Sequence, residues 1–173
     1  MKKISVVLLL MLIDILSFVH LASGKGPEKL IYVLPSGMEP KFVQDYDYGS
    51  VYMIRFVMQC NSIDDWTEVF EVVNAMKSNY PKNPLEMYNQ TVEKRKMRCQ
   101  NAECSIINQT PESIIYEIKT KKCPPFPDEY SINRVLYGKT NVFLLIYTSR
   151  KPELLQKTRD EWMGILSKAH ILP

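Results

Sequence analysis

Apolar and polar positions along the chain alternate in some stretches and recur at helical spacing in others, and the two rhythms divide it into strands and helices. Leu30 to Leu34 is a short apolar run stopped by Pro35, and Ser36 to Pro40 reads as a loop. Val51 to Gln59 follows the turn residues Asp47 and Gly49, is rich in β-branched and aromatic side chains, and reads as a strand. Trp66 to Met76 fits two templates. Trp66, Val69, Phe70, Val73 and Met76 lie on one helical stripe, while the valines and Phe70 favour a strand. Asn83, Pro84 and Glu86 supply a cap, a proline in the first turn and an acid beside it, so a helix starts there and runs to about Arg98 with Leu85, Tyr88 and Val92 inward.

Cys104 to Asn108 and Ser113 to Lys119 read as a hairpin across Thr110 and Pro111, and Tyr130 to Tyr137 and Val142 to Thr148 as a second around Gly138 and Lys139. Val142 to Tyr147 is apolar without alternation, the pattern of a central strand covered on both faces. Pro152 opens a last helix whose Leu154, Leu155, Thr158, Trp162, Ile165, Leu166 and Ala169 recur on one face. About six strands and two helices joined mostly by hairpins predict an α+β fold, an antiparallel sheet with helices packed on its faces.

The amino terminus changes the picture of where this domain begins. Lys2 and Lys3 precede an apolar stretch from Ile4 to Ile13, and Ala22, Ser23 and Gly24 supply small residues, so residues 1–24 read as a secretory signal peptide cleaved after Gly24. A retained anchor is opposed by Asp14 and His20, since a carboxylate near the middle of a spanning helix costs about 2.5–3.5 kcal/mol on insertion scales. No retained transmembrane helix is expected. Residues 25–173 then form one α+β domain in the periplasm or outside the cell. Of 22 basic and 19 acidic residues, cleavage removes Lys2, Lys3 and Asp14, leaving 20 and 18 and a net charge of +2. That balance excludes nucleic acid as an expected partner.

The four cysteines, Cys60, Cys99, Cys104 and Cys123, all lie after residue 24, and an even number in an exported chain favours disulfides, with three connectivities open. Metal binding is not expected, because Cys99 and Cys104 have no second close pair and only His170 remains after cleavage. No cofactor is expected either, since the chain has no Walker-type or dinucleotide-binding glycine pattern. No residue is assigned a catalytic role. A nucleophile needs a positioned base, and His170 stands fourth from the carboxyl end. Asp64, Asp65, Glu68 and Glu71 form an acid run of the kind usual on a solvated face. Tyr46, Tyr48 and Tyr52 flank a turn and read as packing at a sheet edge.

Arg55 to Val57, the Asp65-Trp66-Thr67-Glu68 run, the helix ending at Cys99, the hairpin ending at Cys123 and Pro124, and a final strand pair before the Trp162 helix together resemble small exported bacterial proteins of unknown function with a PsbP-like fold. The resemblance covers most of residues 50–170 and implies that the segment after Trp66 is a strand. It implies no activity, because one scaffold hosts unrelated functions. Cys60 and Cys104 are not part of the resemblance.

A turn at Thr110-Pro111 or Pro111-Glu112 makes paired residue numbers sum to 221 or 223, so Cys99 faces residue 122 or 124 and comes within reach of Cys123. Cys60 with Cys104 is then the remaining pair. That bridge would gather Lys94, Arg95, Lys96 and Arg98 with Lys119, Lys121 and Lys122, a cluster open to two readings: solvated cations at a helix carboxyl terminus, the commoner case, or an anion-binding site for an anionic envelope component or an acidic protein face. Two functions from different classes follow. One is a non-enzymatic binding or interaction domain of the bacterial envelope or secreted fraction. The other is a small exported hydrolase in which Asp64, Asp65 or Glu68 faces a second acid across a cleft.

Overall fold

The computed structural model of the chain describes residues 19–22, 28–35, 40–60, 64–151 and 153–172. Most of the expected export segment, and Pro152, lie outside them. Seven strands form one antiparallel sheet: β3 (Phe42–Asp47), β4 (Val51–Cys60), β5 (Trp66–Met76), β6 (Glu103–Gln109), β7 (Ser113–Thr120), β8 (Glu129–Tyr137) and β9 (Asn141–Ser149). Their spatial order is β3-β4-β5-β9-β8-β7-β6. A second sheet holds β1 (Val19–Ala22), β2 (Lys29–Val33) and β10 (His170–Leu172), with β2 in the middle. The helices are α1 (Pro84–Arg98) and α2 (Gln156–Lys168).

Trp66 to Met76 forms a strand, as its β-branched residues allow, because it pairs along its length with β4 on one side and β9 on the other. β9 occupies the centre of the sheet, which is why its sequence is apolar without alternation: one set of side chains meets α2 and the other the α1 side. On the α2 side, Trp162 stacks on Tyr147 at 4.3 Å and lies 5.1 Å from Phe70, while Tyr32 of β2 meets Phe70 edge-on. Leu30, Leu34, Phe56, Ile132, Phe143, Leu145 and Leu166 complete this core. On the opposite face Met87 of α1 packs on Ile114, Tyr116, Ile118, Val135, Tyr137 and Val142. Helices and the small sheet thus cover both faces of the large one, the architecture expected.

Three local expectations differ. Of the expected inner stripe of α1, Tyr88 meets the Tyr116 ring at 5.1 Å and Val92 is half-buried, whereas Leu85 turns to solvent and Pro84 and Met87 are the buried residues. Asn83 accepts from the Glu86 N–H at 2.9 Å, and Glu86 accepts from the Lys82 N–H at 3.1 Å, a reciprocal cap. The last helix starts at Gln156, after Leu155, which is 79 % exposed instead of belonging to the apolar face. β3 and β10 carry no strand expectation from the sequence, yet both pair, β3 along β4 and β10 along β2. Gly49, at φ 79°, supplies the left-handed turn that joins β3 to β4, its N–H donating to Asp47 Oδ1 at 2.8 Å.

Candidate functional site

The expected cation cluster and the acids of the hydrolase alternative stand toward the same end of the large sheet, on β7 and β5, which β8 and β9 separate. At the end where β7 finishes, Cys99 and Cys123 are joined with Cα atoms 5.3 Å apart. The β6–β7 register runs from Glu103 opposite Lys119 to Ile106 opposite Tyr116, pairs whose numbers sum to 222, between the two expected values. A bulge between Ile106 and Asn108 shifts it by one toward the turn. Cys104 is unbridged, faces Ile118, and packs against the Cys99–Cys123 bridge. Cys60 with Cys104 is corrected by the strand order: β4 and β6 stand five strand positions apart, about 24 Å at ordinary strand spacing, beyond any disulfide.

The bridge ties the residue after α1 to the loop after β7, and three of the seven expected cations there have partners. Arg95 reaches Glu129 at 3.3 Å, Lys121 reaches Glu153 at 2.7 Å, and the Lys119 ammonium sits 5.2 Å from the Tyr130 ring centre. Lys94, Lys96, Arg98 and Lys122 make no ion pair among the described residues. Lys122 has φ 54° and donates its backbone N–H to Asp128 Oδ1 at 2.7 Å. Glu117 turns to the α2 side, where it accepts from Arg159 Nε at 2.6 Å and the Tyr130 hydroxyl at 2.5 Å. Those contacts raise the Arg159 guanidinium above its ordinary value.

The acids of the hydrolase alternative do not converge. Asp64 and Asp65 are exposed before β5, whereas Glu68 is buried, its carboxylate 3.5 Å from Lys151 Nζ. Neither described cavity is lined by any of the three. His170 is exposed, its Nδ1 3.1 Å from the Lys168 carbonyl oxygen. Among the described residues no three His, Cys, Asp or Glu side chains are placed to share a metal ion, and no helix is long and apolar enough to cross a membrane.

Two further arrangements stand apart from these, and the sheet edge expected of Tyr46, Tyr48 and Tyr52 belongs to one of them. The first is the β3 edge. No described strand pairs with the outer side of β3, and Phe42, Val43 and Tyr48 are 42 %, 57 % and 65 % exposed. Tyr46 stacks on Tyr48 at 6.0 Å, and Arg55, held by Glu71 at 2.6 Å, lies 5.9 Å from the Tyr46 ring centre. Asp45 and Asp47, both exposed, add negative charge to the same strand.

The second is a cavity of about 530 Å³ at the opposite end of the sheet from the disulfide. Its walls come from the turn after β5 (Lys77), the approach to α1 (Lys82), the β6–β7 turn (Pro111, Glu112), the β8–β9 turn (Gly138, Lys139) and β10 (Ile171), over Tyr137. Lys77 Nζ donates to the Gly138 carbonyl at 3.0 Å and lies 5.6 Å from the Tyr137 ring centre. The Tyr137 hydroxyl donates to the Pro81 carbonyl at 2.9 Å, and burial pushes its pKa up to about 12.

Glu28 closes the back of this cavity. It accepts from the backbone N–H groups of Lys139 (2.6 Å), Thr140 (3.0 Å) and Asn141 (3.0 Å) and from the Thr140 hydroxyl (2.9 Å). Burial alone would raise its pKa, but together these donors outweigh burial and hold the carboxyl below the ordinary carboxylate value. Its side chain therefore belongs to the wall, its oxygens already bonded.

No protein-family profile matches the chain. No curated protein matches it either. Among solved structures the fold is similar to that of the Saccharomyces cerevisiae Ran-binding protein Mog1p, determined at 1.9 Å resolution. The superposition has a TM-score of 0.50 at 11 % sequence identity and covers 82 % of this chain and 89 % of Mog1p. At that identity the likeness is one of fold.

Proposed function

We propose that the chain is an exported, non-enzymatic interaction domain that receives an extended segment of a partner protein along the outer edge of β3. The observation that carries this reading is the edge itself: a strand with one unpaired side and exposed Phe42, Val43 and Tyr48 is a template for an added strand. Backbone groups of such an edge supply affinity, and flanking side chains supply selection. Asp45 and Asp47 favour a basic segment. The fold likeness to Mog1p, described as a Ran-binding protein, supports a protein-binding use of this architecture. The signal-like residues 1–24 and the resemblance to exported bacterial proteins with a PsbP-like fold support the export half.

Two measurements test the reading. Amino-terminal sequencing of protein from the envelope and the culture fluid should find Lys25 first. Full-length protein confined to the cell interior would remove the export half. Affinity capture from the same fractions should recover a protein that Val43→Pro and Phe42→Asp variants lose while melting near the wild type. Capture unaffected by both variants would move the interface off β3.

A further inference from the structure

The cavity under the β8–β9 turn is separate from the β3 edge and does not depend on that reading. Three ammonium groups line it, from Lys77, Lys82 and Lys139, and none forms an ion pair among the described residues. Of the two acids in its wall, Glu28 is 5 % exposed and has its oxygens taken by three backbone N–H groups and a hydroxyl. Glu28 stays ionised behind those donors, Glu112 stands on the exposed β6–β7 turn, and Glu86 accepts from the Lys82 N–H at 3.1 Å beside the recess, yet none of the three ammoniums is paired with these acids among the described residues. Lysine ammoniums that line one recess without direct ion-pair partners leave donors for an anion that reaches several of them at once. The recess is also of ligand size: about 530 Å³ falls within the usual 300–1,000 Å³ of small-molecule pockets.

The lining selects among anions. Lysine ammoniums are compact charges that suit phosphate oxygens without demanding the planar fork geometry of arginine. The Tyr137 ring, Pro111 and Ile171 offer an apolar surface beside them. Lys77 is pre-placed by its bond to the Gly138 carbonyl, with further N–H donors available for a ligand. Lys82 and Lys139 are exposed and stand at the mouth. We propose that this cavity binds a small organic phosphomonoester, its dianionic head held by Lys77, Lys82 and Lys139 and its apolar body laid against Tyr137.

The test uses phenyl phosphate as the probe, followed by amide chemical shifts and calorimetry of the purified protein, with benzoate and phenol as controls for charge number and ring. The expected result is saturable binding of phenyl phosphate that perturbs Lys82, Gly138 and Lys139. Binding should weaken several-fold for benzoate, be lost for phenol, and fall several-fold between about 20 mM and 300 mM salt as screening shortens the Debye length. The Lys82→Glu/Lys139→Glu double variant should lose at least about tenfold, as removal and reversal of two charge contacts implies. Lys82→Gln/Lys139→Gln should lose less, and both should melt near the wild type because the two side chains are exposed. Lys121→Glu/Lys122→Glu, at the disulfide end, should bind as wild type. Any of three results overturns the proposal: no saturable binding of phenyl phosphate, equal binding by the Lys82/Lys139 variants, or loss confined to the Lys121/Lys122 variant. Binding only to phosphatidic acid vesicles, with no response to the soluble ester, also overturns it, by making the recess a membrane contact.

Discussion

Replacing Glu28 with alanine removes an acceptor that four donors of the β8–β9 turn share. The Asn141 N–H belongs to a buried residue, while Lys139 and Thr140 are exposed and can turn to water once the carboxylate is gone. Hydrogen bonds to a charged acceptor contribute about 1.5–3 kcal/mol each before such rehydration, so Glu28→Ala should lose about 2–4 kcal/mol in all. For a domain of this size that corresponds to roughly 4–16 °C in Tm, at about 2–4 °C per kcal/mol. Glu28→Gln keeps one carbonyl acceptor but brings an amide NH2 toward the same N–H groups, and should lose about half as much.

The effect also has a pH signature. The folded carboxyl titrates below its unfolded value, so its contribution is complete above the ordinary glutamate range near pH 4.3 and is lost as pH falls through the folded value. Thermal unfolding by far-ultraviolet circular dichroism from pH 3 to 7 should therefore show a gap between wild type and Glu28→Gln that is full at pH 6–7 and narrows below about pH 4. Equal melting at pH 7, or a gap that widens on acidification, would refute the assignment of Glu28 as the acceptor that fixes this turn.

Gly138→Ala should act through the same contact, since a Cβ there would lie 2.5 Å from a Glu28 carboxylate oxygen. Its penalty should shrink sharply in a Glu28→Ala background, and additive effects would sink the idea. Peptide mapping without reduction should recover Cys99 joined to Cys123, and the Cys99→Ala/Cys123→Ala variant should lose about 3–4 kcal/mol for a loop closed over a separation of 24 residues. A Cys60–Cys104 peptide would contradict the strand order. Trp162→Ala, which empties the space between Tyr147 and Phe70, should lose about 3–5 kcal/mol by denaturant unfolding, and a loss under about 1 kcal/mol would place the indole outside the core. Arg159→Ala leaves the buried Glu117 without its cation and should lose about 2–3 kcal/mol, less than for a fully buried pair because Arg159 is partly exposed. Adding Glu117→Gln should restore part of that loss, and no recovery would show that the arginine acts through its packing alone.

What could be read from the sequence is what local chemistry decides. The Asn83-Pro84-Glu86 start of α1 and the two hairpins from Cys104 to Thr148 each depend on residues a few positions apart, and each folds close to the predicted bounds. The apolar run of β9 announced a central strand because burial on both faces leaves no position for a polar residue. Trp66 to Met76 was undecided by its own residues, and only pairing with β4 and β9 makes it a strand. β3 was hidden for the opposite reason. An edge strand is satisfied on one side alone and tolerates Asp45 and Asp47, which depress the strand signal that its apolar and aromatic residues give. The phosphate-site candidate was invisible for a reason of distance: Glu28, Lys77, Lys82, Lys139 and Ile171 are spread over 143 positions of sequence and meet because three turns and the end of β10 close on one end of the sheet. Spacing along a chain reports helix faces and turns, which are short-range. Which loops share an end of a sheet follows from strand order, and that is settled by burial of the whole core rather than by any segment within it.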